Sequence, residues 1–221
     1  MAEAVGVWRT ISGRKVFIRD GQSLSDAMRE SGKFADMEED EGAGHITEVD
    51  LYDALEGLPE DDVEDLIASI RYYTDDYTWS LENEGEIKNL NRAIEEARAA
   101  HWNEGELYRG INVDQDFFDS LKEGDIIETG LPSSWSSDAS VALDFASGQH
   151  LESQNETKVV LVDVTQGARN AISIQDLSRY PNEQEVLYSG NSSFQVKGFR
   201  EEESPVDGST IYMVEVEEVR K

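Results

Sequence analysis

The chain opens on two short runs in which apolar and polar residues alternate, Val7-Trp8-Arg9-Thr10-Ile11 and Lys15-Val16-Phe17-Ile18-Arg19, separated by Ser12-Gly13. A period of two on either side of a turn signal predicts a β-hairpin. Ser23-Leu24-Ser25-Asp26 then supplies a capping-box pattern for a helix through Glu30, with Gly32 as its stop. A hairpin and one helix bury too little to stand alone, so this segment must dock on the rest of the chain or on a partner. Beyond residue 46 the period lengthens. Thr47 caps a predicted helix over 48–57, and Pro59 opens a second over 60–73 with Val63, Leu66, Ile67 and Ile70 on one face. A third, over 85–100, repeats Ile87, Leu90, Ala93, Ile94 and Ala97. From Glu106 the texture changes to strands, at 105–111, 124–129, 157–165, 184–190, 193–199 and 209–219, interrupted by short helices over 114–121 and 139–147. Helices first and strands after predict an α+β fold, not an alternating α/β one.

Charge divides the chain in the same way. Of a formal net −29, residues 1–36 carry +1 and the remaining 185 residues carry −30. Between them Met37-Glu38-Glu39-Asp40-Glu41-Gly42-Ala43-Gly44 reads as an acidic linker. The expected organisation is therefore a hairpin–helix docking segment over 1–36, a linker over 37–45 and one domain over 46–221. That domain has a helical part over 46–104 and a strand-rich part over 105–221.

So acidic a surface should repel nucleic acid and anionic membranes. It has two readings, adaptation to a salty cytoplasm or attraction to a basic partner. Arg outnumbers Lys by 12 to 7, which favours salt. With no cysteine and only three histidines (His45, His101 and His150), thiolate sites are excluded and no metal is expected. The first residues carry an acid and lack an apolar core, unlike a signal peptide, and no apolar run approaches the ~20 residues needed to span a bilayer. A cytoplasmic or virion-packaged protein is the expectation.

Three polar clusters break the strand-rich half. Leu107-Tyr108-Arg109-Gly110-Ile111 sets an arginine in an apolar strand. It is either an edge arginine reaching solvent or a guanidinium aimed into a cleft, where its fork matches phosphate oxygens. Gly110 beside it would let a ligand approach the backbone. Ser133-Ser134-Trp135-Ser136-Ser137 reads as a loop before a helix that Ser137 or Asp138 caps. Glu183-Gln184-Glu185 is one of seven Glu-x-Glu pairs in the chain, so the spacing alone says nothing. Its context differs, since it follows a polar loop over 176–182 and runs straight into Val186-Leu187-Tyr188. As a strand, it would present both carboxylates on one face about 7 Å apart.

Aromatic-Arg-Gly, then Ser-x-Ser, then Glu-x-Glu, in this order, resembles the arginine-serine-glutamate class of mono-ADP-ribosyltransferases, which includes clostridial-type toxins and tailed-phage enzymes. The resemblance covers about residues 70–221. It includes Tyr72-Tyr73-Thr74 through Ile94, and Ser136-Ser137-Asp138-Ala139-Ser140-Val141-Ala142 with Phe145. One departure is Trp135, where the family usually has Thr.

The resemblance implies a helical part followed by a two-sheet β core, and transfer of ADP-ribose from NAD to a protein side chain with release of nicotinamide. Glu185 would stabilise the developing cation, Ser134 would hold Glu185 or the ribose, and Arg109 would clamp the pyrophosphate. Gly110, Ser136 and Phe145 would complete the NAD site, with Phe145 or Trp135 packing on the nicotinamide side. Glu183 would orient the acceptor, which the glutamate at that position marks as arginine, and Tyr180 would touch the acceptor protein. Residues 1–36 are similar to a segment of phage head-morphogenesis proteins, implying capsid proteins as partners. The alternatives are NAD hydrolysis and a non-catalytic capsid or docking module on an inactive transferase fold.

Overall fold

The computed structural model describes residues 6–11, 14–19, 51, 54–55, 57–147, 156–205 and 208–219. The opening hairpin forms as the alternation predicts, with β1 (Gly6–Ile11) antiparallel to β2 (Arg14–Arg19) and β1 lying beside the helix of residues 139–147. The predicted helix to Glu30, the linker 37–45 and the Thr47 cap lie outside the described residues.

Pro59 opens α1 (Glu60–Asp75), whose buried stripe is Val63, Leu66, Ile67, Ile70 and Tyr73. A short helix that the periodicity did not predict, α2 (Tyr77–Glu82), leads into α3 (Glu84–Glu96). The Asn83 side chain caps α3 by accepting from the backbone N–H groups of Gly85 and Glu86. The 85–100 prediction ends early, because the chain breaks at Ala97 into a 3-10 turn over Arg98–Ala100. Leu90, Ala93 and Ile94 of α3 join the α1 stripe in a core that also takes in Ile172, Ile174 and Leu187.

The strands are β3 (Leu107–Asp114), β4 (Ile126–Glu128), β5 (Ser133–Ser136), β6 (Glu156–Asp163), β7 (Ala171–Ser173), β8 (Glu185–Tyr188), β9 (Ser193–Glu203) and β10 (Thr210–Glu218), with α4 (Gln115–Ser120) following β3. They hydrogen-bond in the order β4-β9-β10-β6-β3-β5-β8-β7. The α+β class is as predicted, whereas the two-sheet core differs in one respect. Its halves are stitched into a single sheet by one pair of residues, Tyr108 on β3 opposite Ser136 on β5.

The period of two explains why this sheet is buried on both sides. Val160 and Val162 of β6, with Ile211 and Met213 of β10, pack under α5 (Ala139–Ser147). Val159 and Leu161, with Val214 and Val216, face the opposite way into a cluster built on Trp102, Trp135, Tyr188 and Phe194.

A buried ion network staples the seam a second time. Asp163, at the end of β6, accepts hydrogen bonds from Tyr188 Oη of β8 and from Arg169 Nε (2.6 Å). It also accepts from the backbone N–H (2.9 Å) and hydroxyl (2.5 Å) of Thr165. Arg169 donates further to the carbonyls of Gly105 and Thr165, and is 2% exposed. Breaking such a pair costs far more than the pair itself contributes.

Gly110 has a structural reason. An ideal Cβ built on it would sit 1.9 Å from the carbonyl oxygen of Ala142 and 2.6 Å from the backbone nitrogen of Ala146. On the side where a Cβ would stand, the space beside this glycine is filled by α5, so helix packing alone is reason for a glycine here. Gly110→Ala should cost ~3 kcal/mol or more by driving α5 off the sheet. The entropic gain of ~0.5–1 kcal/mol from replacing glycine does not offset this. Urea denaturation of the two proteins measures the difference, and a stability within 1 kcal/mol would show that α5 is held elsewhere.

Candidate active site

The three sequence clusters converge because β3, β5 and β8 are neighbours in the sheet. The serine cluster is a strand and not the loop expected of it. Its register pairs Ser134 with Leu187, Trp135 with Val186 and Ser136 with Glu185. Alternation turns Trp135 away from the two serines and into the aromatic cluster, 5.4 Å from Tyr188 and 5.0 Å from Phe194 between ring centroids.

Ser134 is the hub. Its hydroxyl donates to Glu185 Oε1 at 2.5 Å and meets the hydroxyl of Tyr73, from α1, at 2.5 Å. Its carbonyl accepts from Arg109 Nη1 at 2.6 Å. Arg109 is therefore not an edge arginine in solvent; it is half-buried and reaches across the seam just past the Tyr108–Ser136 pair. Glu185 is 8% exposed, and its second oxygen accepts from Ser178 Oγ at 3.4 Å.

The other serines hold the backbone. Ser136 Oγ donates to the Glu183 carbonyl at 2.6 Å and accepts from the Asp138 N–H at 2.9 Å. Asp138, and not Ser137, caps α5, its Oδ1 accepting from the backbone N–H of Ser140 at 2.9 Å.

Glu183-Gln184-Glu185 is not the extended strand that period-two geometry predicts. Glu183 ends a 3-10 turn over Pro181–Glu183, Gln184 is left-handed at φ 47° and ψ 50°, and only Glu185 lies in β8. The two carboxylates consequently lie at different depths. Glu185 is buried, whereas Glu183 is half-buried and receives no side-chain hydrogen bond from a described residue. Burial raises both carboxyls above the ordinary glutamate value. For Glu185 the Ser134 hydrogen bond pulls back down, the neighbouring Glu183 charge pushes up, and Ser178 and Arg109 pull down.

Tyr180 is 53% exposed in the turn before Pro181, and Phe145 is 58% exposed on α5. The Tyr180 backbone N–H donates to Ser178 Oγ at 3.1 Å, which ties its turn to the Ser134–Glu185 centre, whereas no hydrogen bond or ring contact among the described residues joins Phe145 to it. Two residues of this centre escaped the sequence reading, Tyr73 and Ser178. Tyr73 sat in plain view at the end of the α1 stripe, a buried ring with a polar tip. Ser178 carried no signal.

Among the described residues no group of acids and histidines could hold a metal ion, and no helix is long and apolar enough to cross a membrane. What the arrangement offers is a buried carboxylate fixed by two serines, a nearby guanidinium, and a second carboxylate at the rim. That combination stabilises a developing cation while an anionic group is held alongside.

Residues 87–217, more than half of the chain, match the family model for NAD:arginine ADP-ribosyltransferases. The chain belongs to this family. Its fold is shared with solved bacterial ADP-ribosyltransferases. Vis from Vibrio splendidus, solved with an inhibitor, is 21% identical with a TM-score of 0.52, covering 76% of each chain. The Plx2a toxin of Paenibacillus larvae is 14% identical with a TM-score of 0.52, over 78% of this chain and 92% of its own. C3stau2 of S. aureus, solved with NAD, is also 14% identical with a TM-score of 0.52, over 77% and 92%. No curated protein sequence matches. As a member of the family, the protein is an enzyme of the NAD-dependent ADP-ribosyltransferase type.

The raised Glu185 carboxyl carries a stability consequence. Its charged form is disfavoured in the fold, so the folded state loses this contribution as pH rises from the ordinary glutamate value of 4.5 through the raised one. Glu185→Gln should therefore be the more stable protein at about pH 7, the gap closing toward about pH 4, where the carboxyl is protonated folded and unfolded. Urea denaturation of both proteins over this range tests it. A pH-independent gap would mean that the charge plays no part.

Proposed function

We propose that the protein transfers ADP-ribose from NAD to an arginine side chain of a protein, releasing nicotinamide. The observation that carries this reading is the Ser134 hub, which gathers Arg109, Glu185 and Tyr73 at one point. NAD supplies a glycosidic bond whose leaving group is already cationic, so no acid is required to protonate it.

The chain's own residues then have separable tasks. Arg109 holds pyrophosphate oxygens through its guanidinium. Glu185, fixed by Ser134 and Ser178, accepts a hydrogen bond from the ribose hydroxyl beside the reacting carbon and offsets positive charge as the bond to nicotinamide breaks. Glu183 takes one proton from the incoming guanidinium, whose nitrogen forms the new bond to the ribose carbon. The products are ADP-ribosyl-arginine, neutral nicotinamide and a proton. Tyr180 and the acidic surface suit a basic acceptor protein, and Phe145 is assigned to the nicotinamide side. Residues 1–36 are assigned to docking, the hairpin over 6–19 being its described part.

Labelled NAD incubated with an arginine-rich protein, at low and high salt, tests the reading. Glu185→Gln should lower kcat/KM for all NAD turnover about 10³-fold. Glu183→Gln should lower arginine labelling about 10²-fold while nicotinamide release largely persists. Nicotinamide release without labelling by the unmodified protein would instead make it a hydrolase, and no NAD consumption in either salt would sink both enzyme readings.

A further inference from the structure

The residue between the two glutamates is the only non-glycine among the described residues with a positive φ. Left-handed backbone favours glycine, and in this chain glutamine occupies it. Something must hold it there, and the contacts identify Ser137. The Ser137 backbone N–H donates to the Gln184 carbonyl at 3.3 Å, and the Ser137 hydroxyl donates to Gln184 Oε1 at 2.9 Å. From the other side the Gln184 N–H closes the 3-10 turn on the Pro181 carbonyl at 3.2 Å. Gln184 is thus clasped through its backbone and its side chain by one serine, next to the serine that binds the Glu183 carbonyl.

The clasp has a geometric consequence. Were residues 183–185 extended, alternation would put both glutamates on one face, where two carboxylates would compete for one location. The left-handed turn instead leaves Glu185 in the sheet under Ser134, and Glu183 at the half-buried rim with its carboxylate unengaged by a described side chain. Glu185 has its own anchors, Ser134 and Ser178. Among the described residues Glu183 has none on its side chain, so its direction is set by the backbone it hangs from.

We infer that Ser137 and Gln184 are positioning residues for Glu183, and that their clasp decides whether ADP-ribose goes to an arginine or to water. This rests on the transferase reading above and deepens it. With the clasp intact, the Glu183 carboxylate meets the acceptor guanidinium at the angle where it removes the proton as the C–N bond forms. With it loosened, Glu185 still promotes loss of nicotinamide, water takes the ribose carbon, and free ADP-ribose leaves with a proton.

The test uses the full-length protein, NAD and agmatine, a small guanidine that needs no protein docking surface. Ser137→Ala removes the side-chain half of the clasp, and Gln184→Gly keeps the left-handed backbone while removing the same hydrogen bond. Both should cleave NAD within about threefold of the unmodified protein, while the ratio of ADP-ribosylated agmatine to free ADP-ribose falls about tenfold or more. Ser137→Thr, which keeps the hydroxyl, should restore the ratio. A purely structural defect would lower both products together, and that result would overturn the inference, as would unchanged ratios in both variants. An unmodified protein that forms no ADP-ribosylated agmatine overturns the transferase reading and this inference with it. Transfer by the unmodified protein with an unaltered ratio in the variants overturns this inference alone.

Discussion

The molecule turns on a seam held by one backbone pair. β3 and β5 are joined at Tyr108 and Ser136 and at no other registered position, yet they link a five-stranded half to a three-stranded one. Such a joint would be weak alone. It is closed at one end by the buried carboxylate of Asp163, which binds Arg169 and reaches Tyr188 across two intervening strands. Arg109 follows Tyr108 directly, and its guanidinium bridges the seam to the Ser134 carbonyl. The candidate site therefore lies where the sheet is least paired, between a stapled end and an open one. Few other places in a hydrogen-bonded sheet leave room for a guanidinium and a carboxylate to face a ligand.

Seven consecutive residues, 134 to 140, then do most of the placing. Ser134 fixes Glu185, Ser136 fixes the Glu183 backbone, Ser137 fixes Gln184, and Asp138 fixes the first turn of α5. The helix in turn packs on β3 over Gly110, where backbone meets backbone with no space for a side chain. Moving any one of these shifts the others through bonds of 3.3 Å or less. A carboxylate buried in so acidic a protein is expensive to ionise, and burial outweighs the serines and Arg109 in setting its proton affinity. The site's poise comes from that competition and not from the global charge.

Much of this was legible in the sequence, and the remainder was hidden for identifiable reasons. The α1 and α3 stripes and the β6 and β10 alternations announce themselves, because one-sided or two-sided burial is written in apolar spacing. The arginine, serine and glutamate clusters were recognisable by order and context. β5 was not, since three serines and one tryptophan offer no apolar alternation, and strand formation there is dictated by neighbours and not by propensity. The left-handed Gln184 was equally hidden. Glutamine carries no signal for that conformation, which is held by contacts with Pro181 and with Ser137, 47 residues earlier. Asp163 and Arg169 looked like two more charges in a charged chain. Their burial is a tertiary fact, as is the contact of Tyr73 with Ser134 across 61 residues.

Trp135 shows how the core and the chemistry depend on each other. Serines are poor strand formers, and a four-residue strand carrying three of them needs an anchor. The indole supplies it. A tryptophan buries on the order of 150–250 Å², and here it is 2% exposed, packed on Tyr188 and Phe194. Because successive side chains on a strand face opposite ways, fixing Trp135 in the core aims Ser134 and Ser136 away from it, toward the glutamates. Tyr188 belongs to the same aromatic trio and also carries the hydroxyl that binds Asp163. One ring cluster thus sets the serine strand and one of its rings closes the seam. The large residue between the two serines is ballast for the site, doing from the far face what no small side chain there could do.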